Sequence, residues 1–492
     1  MTPSLSLPVE DARAPFVVGL DVGSGGTRAS VYDATAREIG RRAKAPHTFT
    51  VAPDGTSEID ADQVVDELAT VLDEVLAEPL PGPVRAVGLD TFASSMVAVD
   101  ANGKALTACI TYADSRCAAQ ANALATALDV ADLHERTGAR IHTSYLAPRL
   151  QWLREEHPEI FARTHRVMAL GEYAAAKLLG EPVLGTASAA WSGMLDRRTG
   201  QWDEPLLAAT GVDAQLLGEP RNPSQSAPIS GTPLAQRLPV LADAVWVPVV
   251  GDGLSANLGI GALGPGTWGI STATSGAIRQ LVTGDIPHLP SGLWAYRVDV
   301  ERTLVGSALS DCGRLLEWAL AAFAVPKGTD LEALFTAPPS AGTPLVVPFL
   351  SGERGTGWRG GARAMIAGVS AATGPTDLLR GAMEGVALSF ARIAQQMREL
   401  GGEPERVVLS GGMTGAVPGW LQILADALGT PIDHVAISRS TMRGTAVLAL
   451  EQVAPEVAPA PVPVARRVEP DPAHTAHYRS RLERFETLAD LA

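Results

Sequence analysis

Residues 19–28, GLDVGSGGTR, constrain the fold more than any other stretch of this chain. An apolar run, Phe16-Val17-Val18, leads into them, and an alternating run from Ala29 to Asp33 leads out. Both flanks read as β-strands, so the glycines occupy the turn of a hairpin, with Asp21 near the end of its first strand. Glycine at 23, 25 and 26 lets backbone N–H groups approach an anion with no Cβ in the way. A carboxylate beside such a turn repels bare phosphate, so Asp21 makes chemical sense with a divalent cation between the two. The other reading is a Gly-rich hairpin carrying a surface aspartate.

Two commoner phosphate loops do not fit. A Walker loop needs Gly-Lys-Ser/Thr, absent from this segment, and the dinucleotide fingerprint opens a helix, whereas a strand pattern follows here. The remaining option, a phosphate-binding β-hairpin, resembles that of the actin, hexokinase and heat-shock chaperone type of ATPase. With 492 residues there is room for two or more domains. A net charge of −15 and the lack of any basic run exclude a nucleic-acid face. Cys109, Cys117 and Cys312 show no metal spacing, which suits a reduced, cytoplasmic setting. The N-terminal residues lack the basic start and apolar core of a signal peptide, and no run of about 18 apolar residues offers a membrane span.

Asp60 with Gln63 three residues on forms a capping box for a helix carrying Val64, Val65, Leu68 and Leu72. A strand over 84–89 runs into a loop where Ser94 and Ser95 either face a substrate or serve as turn serines. Asn102-Gly103 signals a hairpin turn. In TYADSR, Asp114 and Arg116 suit a hydroxyl-rich ligand, or Asp114 caps the helix expected over 117–128. His142, His157 and His165 lack paired spacing and are not read as metal ligands, and Trp152 reads as core. Residues 199–240 read as loops at a domain boundary.

An apolar strand over 246–250 then ends in Gly251-Asp252-Gly253, a carboxylate at an open edge, or an ordinary turn aspartate. WGISTATSG, residues 268–276, with a return strand through Ile278, Gln280 and Val282, is a second Ser/Thr/Gly hairpin. The duplication is what an actin-like ATPase requires, one hairpin from each domain closing on the phosphates. A long helix over 376–400 carries Leu379, Met383, Val386, Phe390, Ile393 and Met397 on one side. Gly411 and Gly412 between a strand and a helix either let a ribose or base lie on backbone or serve tight packing. Six prolines between 455 and 472 suggest a stiff linker before a terminal amphipathic helix with Tyr478, Leu482, Phe485 and Leu488.

Together these segments resemble the FGGY carbohydrate kinases over residues 16–452. The matching pieces are GLDVGSGGTR, TYADSR (with Tyr112 where Trp is usual), SYLAPRLQWLREEHPEIF (with Arg149 for Lys), GDGLSANLGIGALGPG with STATSG, residues 378–384 (with Gly381 for Ala or Ser), and LSGGM. The resemblance implies two actin-like (ribonuclease H-like) α/β domains with a cleft between them: 1–244 and 245–455, with 456–492 as linker and terminal helix. It implies ATP and Mg²⁺ as cofactors, Asp252 as general base, Asp21 as metal ligand, and Asp114, Ser94 and Ser95 at the sugar. Gly23, Ser24, Gly25, Gly26, Thr27 and Arg28, with Thr272, Thr274, Ser275 and Gly276, would hold the phosphates, and Gly411 and Gly412 would border adenosine. Residues 137–202 are most similar to gluconate kinases, which implies a small sugar or sugar-acid acceptor, gluconate-like by preference. Xylulose, ribulose or another polyol is the alternative, since Ala93-Ser94-Ser95 stands where gluconate kinases carry His and xylulose kinases Gln-Met-His-Gly. A sugar- or nucleotide-binding regulator is the alternative of another class, disfavoured by the presence of both Asp21 and Asp252. No nucleic-acid or membrane partner is expected, and a homodimer is compatible with the sequence.

Overall fold

The computed structural model describes residues 5–492; the first four residues of the N-terminal stretch read above as lacking a signal peptide lie outside them. Two sheets dominate, and each is built on the same plan. In the first, strand Phe16–Gly23 pairs antiparallel with Gly26–Tyr32 and parallel with Val84–Thr91. In the second, Thr267–Thr272 pairs antiparallel with Gly276–Thr283 and parallel with Arg406–Ser410. Each hairpin thus comes from its own sheet, as the duplicated pattern predicts. The register carries a chemical difference: Asp21 stands beside Asp90 in the first sheet, where Ser271 stands beside Ser410 in the second.

Each sheet has its own apolar core, the second centred on helix Pro375–Gly401. That helix opens with Pro375 and buries all six residues of the predicted apolar stripe. A third cluster, including Tyr145, Val250, Leu254, Leu281, Trp294 and Tyr296, joins the two halves beneath the cleft.

Three boundaries differ from the sequence reading. Residues 199–240 hold helices Glu204–Thr210 and Pro233–Arg237, which are too short for periodicity to reveal. Strands Val245–Trp246 and Val250–Gly251 pair with Val84–Thr91, so the first sheet continues past residue 244. The stretch read as a stiff linker contains strand Val464–Val468, which extends the second sheet beside Ile432–Val435. Its prolines fall on either side, Pro463 just before the strand and Pro470 just after it, so they do not interrupt the ladder. The terminal helix, Pro472–Leu491, buries Tyr478, Leu482 and Phe485 against the second core.

Two helices connect the halves. Asp252–Gly259 leaves the first sheet, and Ser440–Val453 returns from the second to pack on strands Phe16–Gly23 and Val84–Thr91. They cross at glycines: a Cβ on Gly444 would lie 1.8 Å from the Ser255 carbonyl oxygen, so no other residue permits the approach. Arg443 donates to the carbonyls of Ala36, Gly259 and Ala460, tying three distant segments at this crossing.

Candidate active site

Asp21 and Asp90 lie near the C-terminal ends of two apolar strands of the first sheet, and Asp252 follows strand Val250–Gly251 as the first residue of its helix rather than part of a loop. These neighbouring parallel strands therefore gather three acids at their C-terminal ends. Asp90 is fully buried, and desolvation together with the charges of Asp21 and Asp252 raises its pKa well above the usual carboxylate range. Thr445 donates to its Oδ2 at 2.5 Å from the returning helix, while Oδ1 has no hydrogen-bond partner among the described residues. Asp21 accepts from Arg28 Nη1 at 2.8 Å across the hairpin. Sequence reading missed Asp90, although a signal exists: Gly-Leu-Asp occurs at 19–21 and again at 88–90.

The first hairpin is held from behind. Thr27 donates to Glu67 at 2.7 Å, His47 shares a 2.7 Å contact with the same carboxylate, and its other ring nitrogen lies 2.8 Å from the Gly23 carbonyl oxygen. Thr27 is thus engaged in support, and the open part of the turn is Gly23 to Gly25: a Cβ on Gly25 would meet nothing within 4 Å, whereas one on Gly26 would lie 2.7 Å from the Ala45 carbonyl oxygen. The second hairpin is braced in the same manner. Cys312 N–H donates to the Thr274 carbonyl at 3.0 Å and Gly313 N–H to that of Ala273 at 2.8 Å, leaving the side chains of Thr274 and Ser275 exposed. Thr272 is buried, its hydroxyl 3.2 Å from that of Thr414.

The glycine pair divides its labour. Gly411 has φ near 149°, and a Cβ there would lie 2.1 Å from the Thr272 carbonyl oxygen, so packing alone requires it. Gly412 has open space on its side and faces no such constraint.

Asp252 shares one cavity with Ser275 and Gly276 of the second hairpin and with Ser94. Burial pushes its carboxyl up to about 6, against the opposing pull of Arg279. The glycines on either side accommodate Trp191, whose ring would lie 2.8 Å from a Cβ on Gly253. Trp191 stacks on Tyr296 at 4.2 Å, and Tyr296 on Trp294 at 4.6 Å, giving the cavity an aromatic wall. Tyr112 and His142 also line it. Burial lowers the His142 pKa to about 4, so the ring is neutral at physiological pH.

Two expected sugar contacts do not line the Asp252 cavity, although Ser95 lines an adjoining one that shares Ser94 and Trp191 with it. Ser95 is buried and accepts from the Leu170 N–H at 2.9 Å. Asp114 is buried, accepts from Ser57 N–H and Arg116 Nε at 2.9 Å each, and does not line the cavity. Its partner Arg116 stacks 4.8 Å above Trp152. Asp114 therefore organises the loop that carries Tyr112. Ser94 has φ near 58°, and Arg149, reaching under the loop, donates to its carbonyl. Arg279 and Arg354, neither of them singled out from sequence, line the same cavity as Asp252. Among the described residues no group of three His, Cys, Asp or Glu side chains is arranged to hold a metal ion by itself.

Two lobes, each built on a sheet that carries one glycine hairpin, have the plan of actin-like ATPases. The models of the FGGY carbohydrate kinases match residues 16–259 (N-terminal domain) and 266–452 (C-terminal domain). The chain belongs to this family, whose members transfer phosphate from ATP to a sugar hydroxyl. It is 24% identical to a gluconokinase of Bacillus licheniformis over 88% of this chain and 87% of that one. Among solved structures, gluconate kinase from Lactobacillus acidophilus superimposes with a TM-score of 0.89 at 20% identity, covering 97% and 98% of the two chains. Plasmodium falciparum glycerol kinase with ADP gives 0.84 at 18% identity, covering 96% and 98%.

Proposed function

We propose that the enzyme phosphorylates a hydroxyl of a small sugar or sugar acid, with Asp252 as the general base. The observation that carries this reading is the placement of Asp252. It stands at the mouth of its helix in a cavity shared with the second hairpin, with its pKa raised to about 6. A carboxylate tuned upward takes a proton more readily and is still ionised at neutral pH. The acceptor hydroxyl gives its proton to Asp252 as its oxygen attacks the γ-phosphorus in line, and ADP leaves. Trp191 and its aromatic neighbours exclude water, the competing nucleophile. Gly23 to Gly26 of the first hairpin and Thr274 to Gly276 of the second offer backbone N–H groups to the phosphates, and Gly412 leaves room for the nucleoside.

Asp21 and Asp90 fit a Mg²⁺ site: two hard oxygen donors side by side, one with an unpartnered buried oxygen. The ion, when bound, offsets the negative charge of the phosphates and of this acid pair. Arg28 orients Asp21, and Thr445 orients Asp90. The gluconokinase relative and the gluconate-kinase-like sequence of residues 137–202 support a gluconate-like acceptor.

A coupled ADP-release assay across gluconate, xylulose, ribulose and glycerol tests the reading. Asp252→Asn is expected to lower kcat by about 10²–10⁴ while ADP binding is retained. Near-normal turnover by this variant removes Asp252 from the role.

A further inference from the structure

Among the described residues, two guanidinium groups in the cleft make no direct ion pair, although both act on the charge of Asp252 across the cavity. Arg279 projects from strand Gly276–Thr283 into the cavity that holds Asp252. Its Nη1 donates to Ser271 Oγ at 3.2 Å, but its Nε is buried with no hydrogen-bond partner among the described residues. A Cβ on Gly253 would lie 3.4 Å from that Nε, so the group sits beside the reacting carboxylate's own backbone.

Arg354 is presented by a fixed loop. The neighbouring Glu353 is buried and accepts from Arg359 Nε at 2.7 Å, Arg392 Nη1 at 2.9 Å and Gly357 N–H at 3.0 Å. Gly355 N–H donates to the Ala308 carbonyl, and Trp358 N–H to that of Arg354. The Arg354 side chain itself makes no hydrogen bond or ion pair among the described residues. The other titratable groups lining the cavity are Asp252, His142, Tyr112, Tyr145 and Tyr296. Burial keeps the histidine and the three tyrosines neutral. The cavity therefore holds two positive charges against one negative, within a chain of net charge −15.

We propose that Arg279 and Arg354 bind a carboxylate on the acceptor, making a polyhydroxylated monocarboxylate the substrate class and these two arginines its specificity determinants. This rests on the reading that the acceptor occupies the Asp252 cavity. A desolvated guanidinium nitrogen with no acceptor, as at Arg279, is costly, and an anionic ligand supplies the missing acceptor to it and to the half-buried Arg354 as charge-assisted hydrogen bonds. A site built this way rejects a neutral analogue because the buried donors are then left unpaired. The phosphoryl group in transfer is a second oxyanion that enters the same cavity, and the experiment separates the two.

The test measures kcat/KM by ADP release for wild type, Arg279→Met and Arg354→Met. The acceptors are five- and six-carbon aldonates, D-gluconate among them, their neutral amides, and the ketoses xylulose and ribulose. Wild type is expected to prefer an aldonate over its amide by about 10²–10³, and each variant to shrink that ratio by about tenfold or more, whatever fall the two acceptors share. Melting curves check that the Arg279 variant folds; the Arg354 side chain has no protein partner to lose. An unchanged ratio with both acceptors slowed alike assigns the arginines to the phosphoryl group and overturns the proposal. So does a wild type that uses aldonate and amide equally, or ketoses alone, results that leave the kinase reading standing. Absence of ADP release with every acceptor overturns both.

Discussion

Asp252 acts as a base only when ionised, so its pKa sets an acid limit on the reaction. With that pKa at about 6, kcat/KM for the acceptor is expected to fall about tenfold per pH unit below it. A profile flat down to pH 5 contradicts the assignment. Stability has the opposite sense. The folded carboxyl holds its proton between the ordinary aspartate value of 3.8 and about 6, where the unfolded chain does not, so stability falls as pH rises through that window. Asp252→Asn escapes the loss, and its melting temperature at neutral pH is expected at or above that of wild type. The two glycines of the nucleotide turn give a paired prediction. Gly411→Ala puts a methyl group into the Thr272 carbonyl at a backbone angle side chains avoid, so the protein is expected to melt lower or fail to accumulate. Gly412→Ala meets no atom of the protein. It is expected to fold normally and raise the KM for ATP, and an unchanged KM places the nucleoside elsewhere.

Among elements, the first hairpin matters because its position is imposed from outside. Thr27, His47 and Glu67 link the hairpin to helix Ala61–Val75, whose start is capped by Asp60. Glu67→Leu leaves the Thr27 hydroxyl and a His47 nitrogen without acceptors, at a cost of about 1–3 kcal/mol. The loosened turn is expected to raise the KM for ATP more than that for the acceptor; equal changes argue against a phosphate role for the hairpin. The crossing of Asp252–Gly259 with Ser440–Val453 is the other sensitive element. Gly444→Ala drives a methyl group into backbone that cannot swing aside, and a loss of at least about 2 kcal/mol is expected in denaturant unfolding. The same crossing positions Thr445 against Asp90, so activity is expected to fall at temperatures where the variant is still folded.

The terminal helix contributes to the whole molecule by closing the second core. Glu384, buried in the long central helix, receives Arg380 at 2.9 Å and the Tyr478 hydroxyl at 3.1 Å. Phe485 is completely buried beside them. Phe485→Ala is expected to destabilise the protein by about 3–5 kcal/mol, read as a lower unfolding midpoint with kcat unchanged in the folded enzyme. The sequence alone determined the hairpins, the long helix, the order of the motifs and hence the two-lobed architecture. These are local matters: glycine fixes where a chain turns back, and the spacing of apolar residues fixes which face is buried. The same locality explains why Asp21 and Asp252 were legible, each beside glycines at a strand end. Tertiary structure decided which polar groups share a cavity. It joined Asp90 to Asp21 through strand register, turned Ser95 and Asp114 to supporting roles, and brought Arg279 and Arg354 to one cleft from positions 75 residues apart. No local pattern encodes such meetings, because they depend on how two sheets and a pair of crossing helices pack, and each side chain's role follows from the neighbours that packing supplies.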